Sequence, residues 1–350
     1  MRLSIKRVPR RLRGTYCSLL SAVLIAAMGA AVSVCAESLR RVTDLNGHSV
    51  TIPSVVNRVA VNGALAQMTI MLGCADKICA TGTHVAGNPM LVKMFPSIMD
   101  ALVPFGAPHG KSEVNIEELI KARPDVVFGE NPKITSLGIP TLSISLLNFD
   151  DIKKTLMLMG ETLGPKALDK AKQFVAYYDS TISAVSSRTA NLPESRRAKV
   201  YYGSRDDGLT TEGKNTIACS WIDAAGGINM AARGNVEGQK KVSIEEVISW
   251  EPDILIVNSL NSYDEVTTSA VWKTIPAVRN NRVYRVPMGV YLWSVRSAEG
   301  ALQIPWAAKV IQPDLFDDID IKHTVRDFYS RFYEYAISDG EIEEILHPKR

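Results

Sequence analysis

The pattern of apolar and polar positions in this chain says one thing twice. Val114-Asn115-Ile116-Glu117-Glu118-Leu119-Ile120, followed by Pro124-Asp125-Val126-Val127, reappears as Val242-Ser243-Ile244-Glu245-Glu246-Val247-Ile248, followed by Pro252-Asp253-Ile254-Leu255. In each copy the apolar residues recur at helical spacing (Ile116, Leu119 and Ile120; Ile244, Val247 and Ile248) and predict one buried face on a short helix. Asn115 and Ser243 stand as N-caps. Glu118 and Glu246 sit three positions on, where a carboxylate reaches back to the cap's own amide. Pro-Asp then stops the helix and starts an apolar run of the kind a central parallel strand needs on both faces. Two distant copies predict two similar lobes, since a solenoid needs a shorter period and more repeats.

The rest of the pattern fits around this pair. Val42 to Leu45 and His48 to Ile52 flank Asn46-Gly47, a strong hairpin signal. A strand at Val59-Ala60-Val61, a helix from Ala64 to Leu72 and a strand from Lys77 to Thr81 alternate as in a parallel sheet with helices outside. Thr141 to Ile144 reads as a further strand. Asp150 or Asp151 is expected to cap a helix running to Leu163. Lys166 to Thr189 reads as one helix of roughly 24 residues, about 36 Å long, ended by Asn191-Leu192-Pro193. Beyond it come a strand from Lys199 to Tyr202, a helix to which Ser220 to Ala225 belong, and a short helix from Val271 to Pro276. A strand from Arg282 to Val286 takes the role of Thr141 to Ile144. Helices over Ala298 to Gln312, Thr324 to Tyr335 and Ser338 to Leu346 close the chain. The fold class is therefore α/β: two similar lobes with central, mainly parallel sheets, joined by one long rigid helix, with a ligand cleft between them. The lobes are expected over residues 37–165 and 193–350, with the spine over 166–192.

Composition changes this picture at the amino terminus. Residues 1–36 carry Arg2, Lys6, Arg7, Arg10, Arg11 and Arg13, no acid, and an apolar run from Leu19 to Val34. Val34-Cys35-Ala36 offers small residues for a signal peptidase, and cleavage is expected after Ala36. An uncleaved membrane anchor is the alternative, and a lipid on Cys35 is a third. Losing the six cations takes the formal charge from +3 to −3, which argues against a nucleic-acid partner. Cys74, Cys79 and Cys219 remain, without the paired spacing of a zinc site. Cys74 and Cys79 either bridge or stay as buried thiols.

Several catalytic signatures are missing. The chain has no Gly-x-Ser-x-Gly, His-Glu-x-x-His, Cys-x-x-Cys or dinucleotide fingerprint. Gly208 to Asn215 imitates a phosphate-binding loop, but Asn215 replaces the hydroxyl that would hold magnesium. It reads instead as a loop on the cleft rim.

The two repeats, the long helix between them, Ala225-Gly226-Gly227-Ile228-Asn229 and the stretch Trp272 to Val286 together resemble the class III periplasmic binding proteins, over about residues 40–346. These are the solute-binding components of ABC importers. The ending, from Trp293-Ser-Val-Arg296 to Tyr335, is similar to a branch that includes iron-complex and molybdate or tungstate binders. The resemblance implies a periplasmic monomer that captures an anionic metal chelate of the iron–siderophore type, or alternatively a molybdate or tungstate oxyanion. It implies no cofactor, no resident metal and no catalysis. It further implies a membrane permease as partner, docked through one acid on each lobe, here Glu117 and Glu245. Their neighbours Glu118 and Glu246 are expected to be occupied as capping partners.

Parallel sheets bind ligands at the carboxyl ends of their strands. That rule places Asn62-Gly63, His84, Gly106 to Ser112, Tyr202 to Arg205, Asn258-Ser259 and Met288 to Arg296 around the cleft. Arg296 is the leading anchor, because a guanidinium fork suits carboxylate and oxyanion groups; the competing role is a salt bridge with Glu299. His84 is either a ligand contact or a surface residue. Of Tyr201 and Tyr202, one is expected to face the cleft and the other the core. Lys111 and Arg205 add positive field, while Trp293, Tyr291 and Trp221 are candidates to stack on a flat chelate or to pack in the core. This bias toward cations and aromatics disfavours a bare divalent cation.

Overall fold

The hairpin forms around its signal: β1 (Leu39–Thr43) pairs antiparallel with β2 (Ser49–Pro53), and Gly47 turns at φ +84°. A computed structural model describes residues 38–106 and 114–348. The expected leader over residues 1–36 and the candidate Lys111 lie outside the described residues.

Five strands make the amino-terminal sheet: β3 (Val59–Ala60), β4 (Ile78–Gly82), β5 (Leu102–Phe105), β6 (Val126–Phe128) and β7 (Thr141–Leu142). Their order is β5-β4-β3-β6-β7 and every pairing is parallel. The second sheet holds β8 (Ala198–Gly203), β9 (Thr210–Glu212), β10 (Gly227–Asn229), β11 (Gln239–Lys241), β12 (Ile254–Val257) and β13 (Val283–Arg285). Here β8, β10, β12 and β13 run parallel, whereas β9 and β11 join at one edge through antiparallel pairings, β9 on β8 and β11 on β9. The repeat explains why the sheets correspond. Strand β6 lies beside β3 and β7, and β12 lies beside β8 and β13.

Each repeat staples its helix to the sheet in the same way. The last helical turn ends on a left-handed residue, Arg123 at φ 46° or Glu251 at φ 44°. The aspartate that follows bonds back to the start of the neighbouring strand. Asp125 accepts from the Asn57 and Arg58 amides at 2.7 and 2.8 Å, and Asp253 accepts from the Lys199 amide at 2.8 Å. The N-caps differ. Ser243 and Glu246 form the full reciprocal box, but in the first copy only Asn115 caps. The Asn115 amide is taken by the Pro104 carbonyl at 2.8 Å, so Glu118 has no cap amide to reach. Ile120 is also not on the buried face. It is 52% exposed, because Leu119 and Ala122 meet the sheet on this two-turn helix.

The long helix spans Pro165–Thr189, 25 residues, and so runs about 37 Å. Its buried residues Ala167, Ala171, Phe174, Tyr178, Val185 and Thr189 trace one stripe. The preceding helix, Phe149–Leu163, is capped by Asn148, not by Asp150 or Asp151: its side chain accepts from the Asp151 amide. The two helices approach closely at Gly160, where a Cβ would lie 2.9 Å from the Ala171 methyl. Phe174 and Tyr177 then meet Phe328 and Phe332 of the Ile321–Tyr333 helix in an aromatic cluster with centroids 5.1–6.5 Å apart. The spine is thereby fused to the carboxyl-terminal helices.

One further expectation changes. The stretch Gly208 to Asn215 is not a rim loop, since β9 runs through it. The helix expected to include Ser220 spans Ile217–Ala224, capped by Thr216. Cys74 and Cys79 are both buried free thiols. Among the described residues no helix is long and apolar enough to cross a membrane.

Candidate ligand site between the lobes

The strongest set of polar contacts at a strand end lies where β8 and β12 finish. The Tyr202 hydroxyl is 2.8 Å from Ser294 Oγ, and Ser294 Oγ donates to Asn258 Oδ1 at 2.9 Å. Asn258 Nδ2 donates in turn to the Ser204 carbonyl at 3.1 Å. The Trp221 indole N–H donates to the Ser294 carbonyl at 3.3 Å. These bonds tie the segment from Met288 to Arg296 onto the carboxyl end of the sheet and fix where Arg296 emerges.

Arg296 keeps 39% of its side chain exposed, and its Nη2 lies 4.0 Å from Oε1 of Glu212. That is attraction without a hydrogen bond. Glu212 ends β9 and is buried. Its Oε1 accepts from Gln239 Nε2 at 3.2 Å; Gln239 also donates to Ser204 Oγ at 3.2 Å and accepts from Arg205 Nη2 at 3.0 Å. Burial pushes the Glu212 carboxyl up from the ordinary glutamate range, against the pull of Arg296, the Gln239 bond and Arg205.

The salt bridge weighed for Arg296 is not made. Glu299 is fully buried and serves the backbone instead. Its carboxylate accepts from the Tyr329 hydroxyl at 2.6 Å and from the Val290 and Tyr291 amides at 3.2 and 3.1 Å. This triple contact shapes the turn that carries Tyr291.

Tyr291 reaches the other lobe. A Cβ placed on Gly63 would sit 3.0 Å from its hydroxyl, and Gly63 holds φ +55° at the start of the Ala64–Met71 helix. The Gly63 amide donates to Asn62 Oδ1 at 2.8 Å, and Asn62 in turn lies over Gly82 at the end of β4. Asn88 Nδ2 adds a second crossing, to the Val290 carbonyl at 2.9 Å. Burial pushes the Tyr291 phenol up, and nearby Arg296 opposes that shift. The carboxyl ends of β3 and β4 in one lobe thus face Tyr291 from the other, and Arg296 lies near Tyr291.

The sequence candidates divide on these facts. Tyr202, Trp293, Arg205 and Arg296 gather on the carboxyl-terminal lobe around Ser294, Gln239 and Glu212. His84 stands exposed on the other lobe, in the short helix Thr83–Ala86 directly after β4. Tyr201 is a core residue, packed against Trp250 and Trp272 with its hydroxyl on the Gly208 carbonyl at 2.9 Å. Tyr202 is equally buried and stacks edge-on against Trp221. Trp293 and Trp221 are each only 1% exposed, so neither offers a face for stacking. Glu212 and Gln239 were missed, because the segment holding Glu212 reads as a loop once it is compared with a phosphate-binding motif. Its Thr-Thr-Glu run, β-favouring and polar, was the available signal.

A separate open groove of about 870 Å³ shares none of these residues; its charges are already paired, Arg197 with Asp223 and Arg233 with Glu194. Among the described residues no three His, Cys, Asp or Glu side chains are placed to hold a metal ion.

A family model described as periplasmic binding protein matches residues 59–288. The molybdate-binding protein MolA of Haemophilus influenzae is 27% identical over 347 residues, spanning 90% of this chain and 96% of that protein. Its molybdate-bound structure superimposes with a TM-score of 0.75 at 25% identity, covering 85% of this chain and 99% of that one. A periplasmic solute-binding protein from Veillonella parvula gives the same TM-score at 29% identity, over 89% and 97% of the two chains.

Proposed function

We propose that this chain, which belongs to the periplasmic binding protein family, captures a small oxyanion of the molybdate type between its lobes and presents it to an ABC permease, with no catalysis of its own. The observation that carries this reading is Arg296. Its guanidinium is part-exposed beside Tyr291, and the nearest acid among the described residues, Glu212, stands beyond hydrogen-bonding distance. A guanidinium fork with open N–H groups matches the oxygens of a compact oxyanion. Two of the three aromatic candidates for a flat ferric chelate, Trp221 and Trp293, are buried, and Tyr291 alone keeps part of its surface open, which favours a compact oxyanion over the iron–siderophore ligand expected first. The similarity to a molybdate-binding protein over most of the chain agrees.

In this reading the lobes divide at the Pro165–Thr189 helix, and the basic, apolar leader over residues 1–36 exports the chain. Closure on the ligand is small, because the spine and the bonds through Asn88 already hold the lobes together.

Calorimetric titration of residues 37–350 with molybdate, tungstate, sulfate and a ferric siderophore tests the proposal. Binding of molybdate or tungstate, lost in Arg296→Ala without unfolding, is the expected result. Ligand at a hundred times its dissociation constant should also add about 2.7 kcal/mol of stability. Siderophore binding without oxyanion binding, or Arg296→Ala binding as the parent does, overturns it.

A further inference from the structure

An anion site with a buried acid beside its arginine poses a question of purpose. Glu212 is 4% exposed at its side chain and faces Arg296 from below the rim. One oxygen is engaged by Gln239 at 3.2 Å; the other, Oε2, is buried with no hydrogen-bond partner among the described residues. An ionised carboxylate with an unserved oxygen in a desolvated place is costly, and the cation at 4.0 Å is what offsets that cost.

We infer that Glu212 is a positioning residue whose buried carboxyl takes up a proton as an oxyanion engages Arg296, so that capture of the ligand is proton-coupled and the acid sets which anions are held. The inference rests on the reading of Arg296 as the anion anchor. While the site is empty, Arg296 is the main cation acting on Glu212, with Arg205 behind Gln239 as the second. An anion on the guanidinium spends that field. Glu212 is then left beside a negative ligand and favours its neutral form. Neutral Glu212 in turn stops competing for Arg296. Among the described residues the groups facing Glu212 are few: Tyr202 from β8, Gln239 from β11 with Arg205 beyond it, Arg296 from the loop, and Asn229 of β10, which donates to the Glu212 carbonyl at 2.8 Å. None of them is a second acid that would take the proton in its place.

The test compares the parent chain with Glu212→Gln, which keeps the shape and cannot ionise. Molybdate affinity of the parent should weaken as pH rises, by about tenfold across the whole titration of Glu212, the effect of a one-unit shift at a single coupled group. Glu212→Gln should bind with less than about a twofold change over that range and more tightly than the parent at its alkaline end. A Glu212→Gln variant that keeps the parent's slope, or is weakened equally at every pH as a structural residue would be, overturns the inference. If molybdate binds neither protein at any pH, the oxyanion reading has failed on its own. The coupling is then read from the carboxyl carbon resonance of Glu212, assigned by its loss in Glu212→Gln. Its titration midpoint should rise in Arg296→Gln; an unmoved midpoint overturns the inference.

Discussion

Gln67, on the first helix of the amino-terminal lobe, donates to the Tyr333 hydroxyl at 2.6 Å, and both side chains are buried. The same amide accepts from the Ala298 backbone N–H at 2.9 Å. One side chain therefore satisfies two groups from the far end of the chain. Gln67→Leu keeps the bulk and strands both partners. Leaving two buried groups unsatisfied should cost on the order of 2–4 kcal/mol, read as a lower denaturation midpoint. A loss within experimental error would mean that water replaces the amide.

Glu299 makes stability depend on pH in a direction that can be worked out. Burial pushes its carboxyl up to about 7 from 4.5, against the bonds from Tyr329, Tyr291 and Val290. The folded protein therefore holds this proton more tightly than the unfolded chain. The group's contribution is full below pH 4.5 and is lost as pH rises through about 7. Parent and Glu299→Gln melting temperatures should diverge across that window, with the parent losing relative ground toward alkaline pH. Parallel curves from about pH 5 to about pH 8 would place the titration elsewhere.

The architecture was legible because it is written as period and punctuation. The repeat with its Pro-Asp stops, the unbroken helical run from Lys166 to Thr189 and the Asn46-Gly47 turn are all local signals, and each element appears within a few residues of its expected place. The site was less legible because burial is a property of the assembled lobes. Nothing local distinguishes Tyr201, packed on Trp250, from Tyr202, packed on Trp221 on the opposite face of the same strand. Arg296 was readable as a loop cation beside an aromatic. Its neighbour Glu212 was not, since 84 residues separate them and contact depends on β9 folding back along β8. Even the repeat misleads in one detail: Glu246 closes its capping box, whereas Glu118 loses the same chance to a carbonyl on β5.

The remaining acid pair supplies a prediction about partners. Glu117 and Glu245 are both exposed at the same position of their repeats, in the first turn of matching helices. Acids there complement the helix dipole by only about 0.3–1 kcal/mol each, so stability gives little reason for the coincidence. Reversing both charges should abolish ligand uptake through the permease while calorimetric affinity and melting temperature stay near the parent's. Normal uptake by the doubly reversed protein would remove these residues from the docking surface.

Gly63 is the place where backbone and lobe contact meet, and its replacement separates two costs. Its φ of +55° strains any residue with a Cβ, and that Cβ would also press within 3.0 Å of the Tyr291 hydroxyl. Gly63→Ala should therefore lose about 1–3 kcal/mol of stability from strain, and further affinity because Tyr291 and the turn behind it are displaced toward Arg296. Tyr291→Phe removes the oxygen that the new methyl meets. In a double-mutant cycle the strain should persist and the steric part should vanish, so the two changes together should cost less than their sum. Strict additivity, in stability and in ligand affinity alike, would show that Tyr291 yields freely and that the lobes do not depend on its contact with Gly63.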